Sequence, residues 1–85
     1  MYLHATGAVP DIDKLAPYWD EETRTLAELH AEGVVKSVFR LTDRPGVYVI
    51  VEANDVEDAR KQLERLPFVR NRLLFFEVEP VEKLV

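Results

Sequence analysis

The sequence predicts an α+β domain, in which a four-stranded antiparallel sheet carries two helices on one face. Three observations lead there. Apolar residues recur at helical spacing in two segments, and four other segments read as strands, giving the order β-α-β-β-α-β. The turn Asp43-Arg44-Pro45-Gly46 joins two of those strands as a hairpin. The last strand, with Leu73-Leu74-Phe75-Phe76 at its centre, is apolar on both faces. Two helices cover only one face of such a sheet, so the second face calls for a partner.

Residues 2–9 form the first strand, with Leu3, Ala5 and Gly7 on one face and Tyr2, His4 and Thr6 on the other. Pro10 and Asp11 end it. From Asp13 to Glu32 the pattern is mostly helical, with Tyr18 or Trp19, Glu22, Leu26 and Leu29 in one stripe. Pro17 is tolerated only near a helix start, so this helix begins late, and Gly33 stops it. Residues 34–42 form the second strand, with Val35, Ser37, Phe39 and Leu41 opposed to Val34, Lys36, Val38 and Arg40. Residues 47–52 form the third, with Val47, Val49 and Val51 opposed to Tyr48, Ile50 and Glu52. Asn54 is the expected N-cap of the second helix, with Glu57 as its capping-box partner. Val56, Ala59, Leu63 and Leu66 make its buried stripe, and Pro67 ends it. Residues 70–79 carry the fourth strand. This is the ferredoxin-like split unit, one domain spanning residues 1–85.

Composition narrows the function classes. The net charge is −5, and the basic residues are scattered among acids, so nucleic acid and anionic membranes are not expected partners. The chain has no cysteine, which removes thiol catalysis, disulfides and thiolate metal sites. No apolar run reaches the ~20 residues of a membrane span, and the N-terminus does not read as a leader, so a cytoplasmic protein is expected. The two histidines lack metal-ligand spacing, and Gly7, Gly33 and Gly46 lie too far apart for a phosphate loop. Ser37, the only serine, points at the helices by strand parity, so no serine triad is expected. General acid–base chemistry by His, Glu or Tyr remains, with Arg to hold an anion.

The strand faces locate that chemistry. If Val47, Val49 and Val51 face the helices together with Phe39 and Leu41, the opposite layer holds Tyr2, His4, Thr6, Val38, Arg40, Tyr48 and Ile50. Large apolar residues surround a His, an Arg and a Tyr there, as in a small-molecule pocket closed by two sheets. Leu74, Phe76 and Val78 would form one wall of it. Plainer readings stand beside this one. Arg40 equally suits a cross-sheet pair with Glu52 or Glu77, and His4 a structural histidine satisfied by a carbonyl. Tyr48 suits packing, His30 a solvated helix face, Glu22 a surface acid, and Trp19 core or interface.

The chain resembles the muconolactone isomerase family along nearly its whole length. The resemblance rests on Met1-x-x-His4, on Glu22 followed by Leu26, and on Glu32-Gly33 before the second strand. Phe39-Arg40-Leu41, Tyr48 and Leu63-x-x-Leu66-Pro67 complete it. It implies a dimeric α+β barrel, with the sheets of two subunits packed together as a homodimer or higher homo-oligomer. It also implies cofactor-free isomerisation, in which a double bond shifts in an unsaturated lactone bearing a carboxylate. Carried over by position, His4 and Glu22 would be catalytic, and Arg40 and Tyr48 would bind the substrate, with no metal. The chain ends short of the family enzyme's longer C-terminal tail, and its 43–46 turn differs. A rival function of another class is a non-catalytic ligand-binding or assembly module of the same fold. A cofactor-free monooxygenase using Trp19 and a histidine is a third.

Overall fold

A computed structural model describes all 85 residues. Strands β1 (Tyr2–Ala8), β2 (Val35–Arg40), β3 (Gly46–Glu52) and β4 (Phe75–Val81) form one antiparallel sheet in the order β2-β3-β1-β4. Helices α1 (Trp19–Ala31) and α2 (Val56–Leu63) lie on one face, α1 over β2 and α2 over β4, and a single turn, α3 (Pro67–Arg70), follows. This is the ferredoxin-like α+β arrangement that the element order predicts.

The core forms where the strand alternation meets the helix stripes. Leu3, Ala5, Val35, Val49, Val51 and Val78 come from the sheet, and Leu29, Ala59, Leu63 and Leu66 from the helical layer. A smaller cluster of Leu15, Phe68 and Leu74 seals the end of the layer where α1 begins. Gly7 lies under that cluster. A Cβ there would come within 2.7 Å of Leu74 and 2.8 Å of Phe76, so the space a side chain would need is already filled.

Local chemistry sets the helix ends. As Pro17 requires, residues 12–18 form two 3-10 turns, and α1 proper begins only at Trp19. Gly33 adopts φ 81 after α1, a left-handed stop that glycine accepts without strain. The second helix is capped one residue later than expected. Asp55, not Asn54, accepts the Asp58 N–H at 2.7 Å, and Asp58 rather than Glu57 reaches back, to the Asn54 N–H at 2.9 Å. Pro67 is the first residue of α3 rather than a plain terminator. Its missing N–H costs nothing at a first helical position.

Two strand readings are corrected. In β2 the register slips between Val35 and Ser37, leaving a bulge at Lys36. Val35 lies opposite Val51, but Ser37 lies opposite Ile50, Val38 opposite Val49, Phe39 opposite Tyr48 and Arg40 opposite Val47. Directly paired residues share a face, so Ser37 and Phe39 stand on the face away from the helices, and Val38 and Arg40 on the helix side. That is the reverse of the uninterrupted alternation. The fourth strand starts only at Phe75, and it pairs Phe76 with Gly7 and Val78 with Ala5. Leu74, Phe76 and Val78 therefore belong to the helix-facing core and are no wall of an inter-sheet pocket. Phe75, Glu77, Glu79 and Val81 occupy the outer face instead.

Candidate functional site

The outer sheet face is a grid of cross-strand rows with no helix above it. One row runs Phe39, Tyr48, Thr6, Glu77, and the next Ser37, Ile50, His4, Glu79. Tyr2, Glu52 and Val81 form a third row, and Ala8 and Phe75 lie at the opposite end. Phe39 is 57% exposed and Phe75 44%. Two large aromatic side chains left in solvent on one strand-ordered face mark it as a surface that meets something.

His4 sits near the middle of this face on an interior strand, which holds its backbone rigid. Its Nε2 lies 3.1 Å from Glu79 Oε2. A carboxylate only accepts, so in the neutral ring Nε2 carries the hydrogen and Nδ1 keeps its lone pair. Nδ1 is buried and has no hydrogen-bond partner. The Tyr48 ring is tilted against the imidazole at a centroid distance of 5.4 Å, and Phe39 continues the aromatic row at 6.3 Å from Tyr48. Beside this cluster lies a shallow groove of about 460 Å³, lined by Tyr2, Lys36, Ile50, Val81 and Lys83. It adjoins His4 directly, because Ile50 is the cross-strand partner of His4 and Tyr2 precedes it on the same strand face.

The four residues singled out from sequence divide between the two sides of the sheet. His4 and Tyr48 come together on the outer face. Arg40 does not join them, because the bulge turns it to the helix side opposite Val47, where it is exposed and makes no ion pair. Its expected alternatives are also excluded, since Glu52 pairs with Lys36 at 3.3 Å and Glu77 forms no salt bridge. Glu22 is no surface acid. It is only 6% exposed, on α1 beneath α3, and its Oε1 accepts the Phe68 N–H at 2.9 Å. Burial raises its pKa above the ordinary 4.5, against the lowering effects of the Phe68 bond and of nearby Arg70. Leu15 and Phe68, close to it, fill that end of the helical layer with apolar atoms. His30 is exposed, as expected, and its Nδ1 also lies 2.9 Å from the Val35 carbonyl, tying α1 to β2.

Two participants were not singled out from sequence. Glu79 resembles its neighbours Glu77 and Glu82, and only the β1–β4 register reveals it as the partner of His4. Lys83 lies beyond the last strand, and its Nζ stands 5.7 Å over the Tyr2 ring. Nothing in their local sequence distinguishes either one. The residues group no three His, Cys, Asp or Glu side chains with metal-binding geometry, and no helix is long and apolar enough to cross a membrane.

No protein-family model matches the chain, and no curated protein matches it in sequence. Among solved structures, muconolactone isomerase superposes with a TM-score of 0.78 at 20% identity, over 98% of this chain and 90% of that one. The 5-chloro-2-hydroxyhydroquinone dehydrochlorinase of Burkholderia phenoliruptrix AC1100, in complex with 2,5-dihydroxybenzoquinone, superposes with a TM-score of 0.67 at 19% identity. That match covers 94% of this chain and 93% of the other. The chain has a muconolactone isomerase-like fold.

Proposed function

We propose that two copies of this chain close their outer sheet faces around a small anionic ring compound and shift a proton within it, without a cofactor. The observation that carries this reading is the His4–Glu79 pair beside Tyr48, set in an uncovered face rich in aromatic side chains. Association through the face, not the edges, is supported by how the edges are built. The bulge interrupts β2 and Pro80 interrupts β4, and both devices discourage strand addition.

In this reading Glu79 fixes the tautomer of His4, and Nδ1 acts as the base once Tyr48 swings aside. A C–H bond beside the substrate carbonyl breaks and an N–H bond forms, while the electron pair passes to the carbonyl oxygen as an enolate. The proton then returns to a different carbon, so the reaction is balanced without an oxidant or reductant. The like-folded proteins support this class of substrate, since one isomerises a muconolactone and the other is seen with a dihydroxybenzoquinone. Arg40 and Glu22 have no assigned role in this reading, since both lie on the helix side of the sheet.

A non-catalytic binding module is the second reading. It is favoured by the burial of Nδ1, which also suits a histidine that merely packs. Solution mass, together with turnover of muconolactone by the wild-type and His4→Ala proteins, separates the two. A dimer whose turnover disappears in His4→Ala supports the proposal. A dimer that binds muconolactone and 2,5-dihydroxybenzoquinone without converting either supports the module. A stable monomer overturns both.

A further inference from the structure

We propose that Lys83 selects for an anionic substrate by holding its carboxylate in the groove next to His4. This inference rests on the function proposed above and deepens it. The groove has an apolar floor of Tyr2, Ile50 and Val81 and a rim of two lysines, Lys36 and Lys83. The lysines are not equivalent. Lys36 Nζ is held by Glu52 Oε2 at 3.3 Å, which neutralises it. Lys83 forms no salt bridge, and its only charge-related contact is with the face of the Tyr2 ring at 5.7 Å. The groove therefore presents one unneutralised charge, and that charge is positive.

Covering the face with a second copy sharpens the requirement. An ammonium group taken out of water without a counter-charge is costly, while an anion brought to it in that drier setting is bound more tightly than at an open surface. A carboxylate satisfies Lys83 with a charge-assisted hydrogen bond, and the apolar floor accepts the ring that carries it. The spacing fits one small molecule. Tyr2 and His4 are two residues apart on one strand, so their backbones stand roughly 7 Å apart, a span that a single ring compound bridges. An acid from the second copy, such as its counterpart of Glu77 or Glu82, is the competing neutraliser.

The test compares the full-length wild-type protein with Lys83→Gln, using muconolactone and its uncharged methyl ester as probes and recording solution mass alongside. Lys83→Gln is expected to weaken binding of the carboxylate roughly tenfold, to leave the ester unchanged, and to keep the wild-type mass. Equal affinity of the two proteins for the carboxylate overturns the inference and leaves the proposed function standing. So does an equal loss for acid and ester, which would mean a general disturbance of the groove. A fall in mass for Lys83→Gln assigns the lysine to an acid of the second copy and also overturns it. Failure of the wild-type protein to bind either probe counts against the proposed function itself, and this inference falls with it.

Discussion

Glutamine in place of Glu22 should make the protein more stable relative to wild type as the pH rises from acid to neutral. Glu22 is 6% exposed, has the Phe68 N–H at 2.9 Å as its hydrogen-bond partner, and is held above the ordinary carboxylate pKa of 4.5 chiefly by burial. A carboxyl with a folded pKa above its unfolded one binds more protons when folded, in the window between the two values. Its contribution to stability is therefore largest below the unfolded pKa and is lost as the pH climbs through the raised one, with a limiting slope of about 1.4 kcal/mol per pH unit. Glutamine keeps an oxygen for the Phe68 N–H and cannot ionise. Urea unfolding of both proteins at one fixed concentration, from about pH 4 to pH 7, reads the effect. The difference between the two should move in favour of Glu22→Gln across the window and then level off. A difference that stays flat, or moves in favour of the wild type as the pH rises, refutes the reasoning. Glu22→Ala adds a pH-independent loss of roughly 1–3 kcal/mol, because the Phe68 N–H is left without its acceptor.

Gly7→Ala should destabilise the fold by roughly 1–3 kcal/mol in denaturant melts, because its methyl group meets Leu74 and Phe76 in a filled space. Phe39→Asp places a charge on the outer face at a residue 57% exposed in the single chain. It should halve the solution mass by light scattering while leaving the circular dichroism of the fold intact. The fork between Arg65 and Glu32, with contacts of 2.8 and 2.6 Å, lowers the Glu32 pKa mainly through the hydrogen bonds from Arg65. Its contribution is present above pH 4.5 and is lost as the pH falls through the lowered value. Glu32→Gln should therefore flatten the acid limb of the stability curve, and salt should shrink the difference because the pair is exposed.

Where the alternation of side chains is unbroken, the sequence states the structure directly. β1 and β3 each alternate cleanly, so the shared face of His4 and Tyr48 is legible, and so is the valine row beneath it. Two places defeat the same rule. In β2 the adjacent pair Val38-Phe39 offers an apolar residue to either face, so the pattern cannot report the bulge that decides between them. In the segment before and into β4, Leu73 to Phe76 is apolar at every position and carries no parity at all. Its register comes from tertiary pairing with β1. The site suffers for these reasons. Arg40 was placed by the parity that the bulge breaks, and Glu79 emerges only from the register that the apolar run conceals. Glu22 was legible as part of the α1 stripe, but its burial comes from α3, a turn that the proline signal does not announce.

The bulge at Lys36 also bears on how this chain can vary. Loss of the Lys36 codon would shorten the strand by one residue and heal the bulge, because Val35 and Ser37 already stand opposite the neighbouring residues Val51 and Ile50. Every side chain downstream would keep its compartment, with Phe39 still opposite Tyr48 and Arg40 still opposite Val47. A frame-preserving deletion in a strand ordinarily turns its faces over, but here the surplus residue would absorb it and the aromatic association surface would survive.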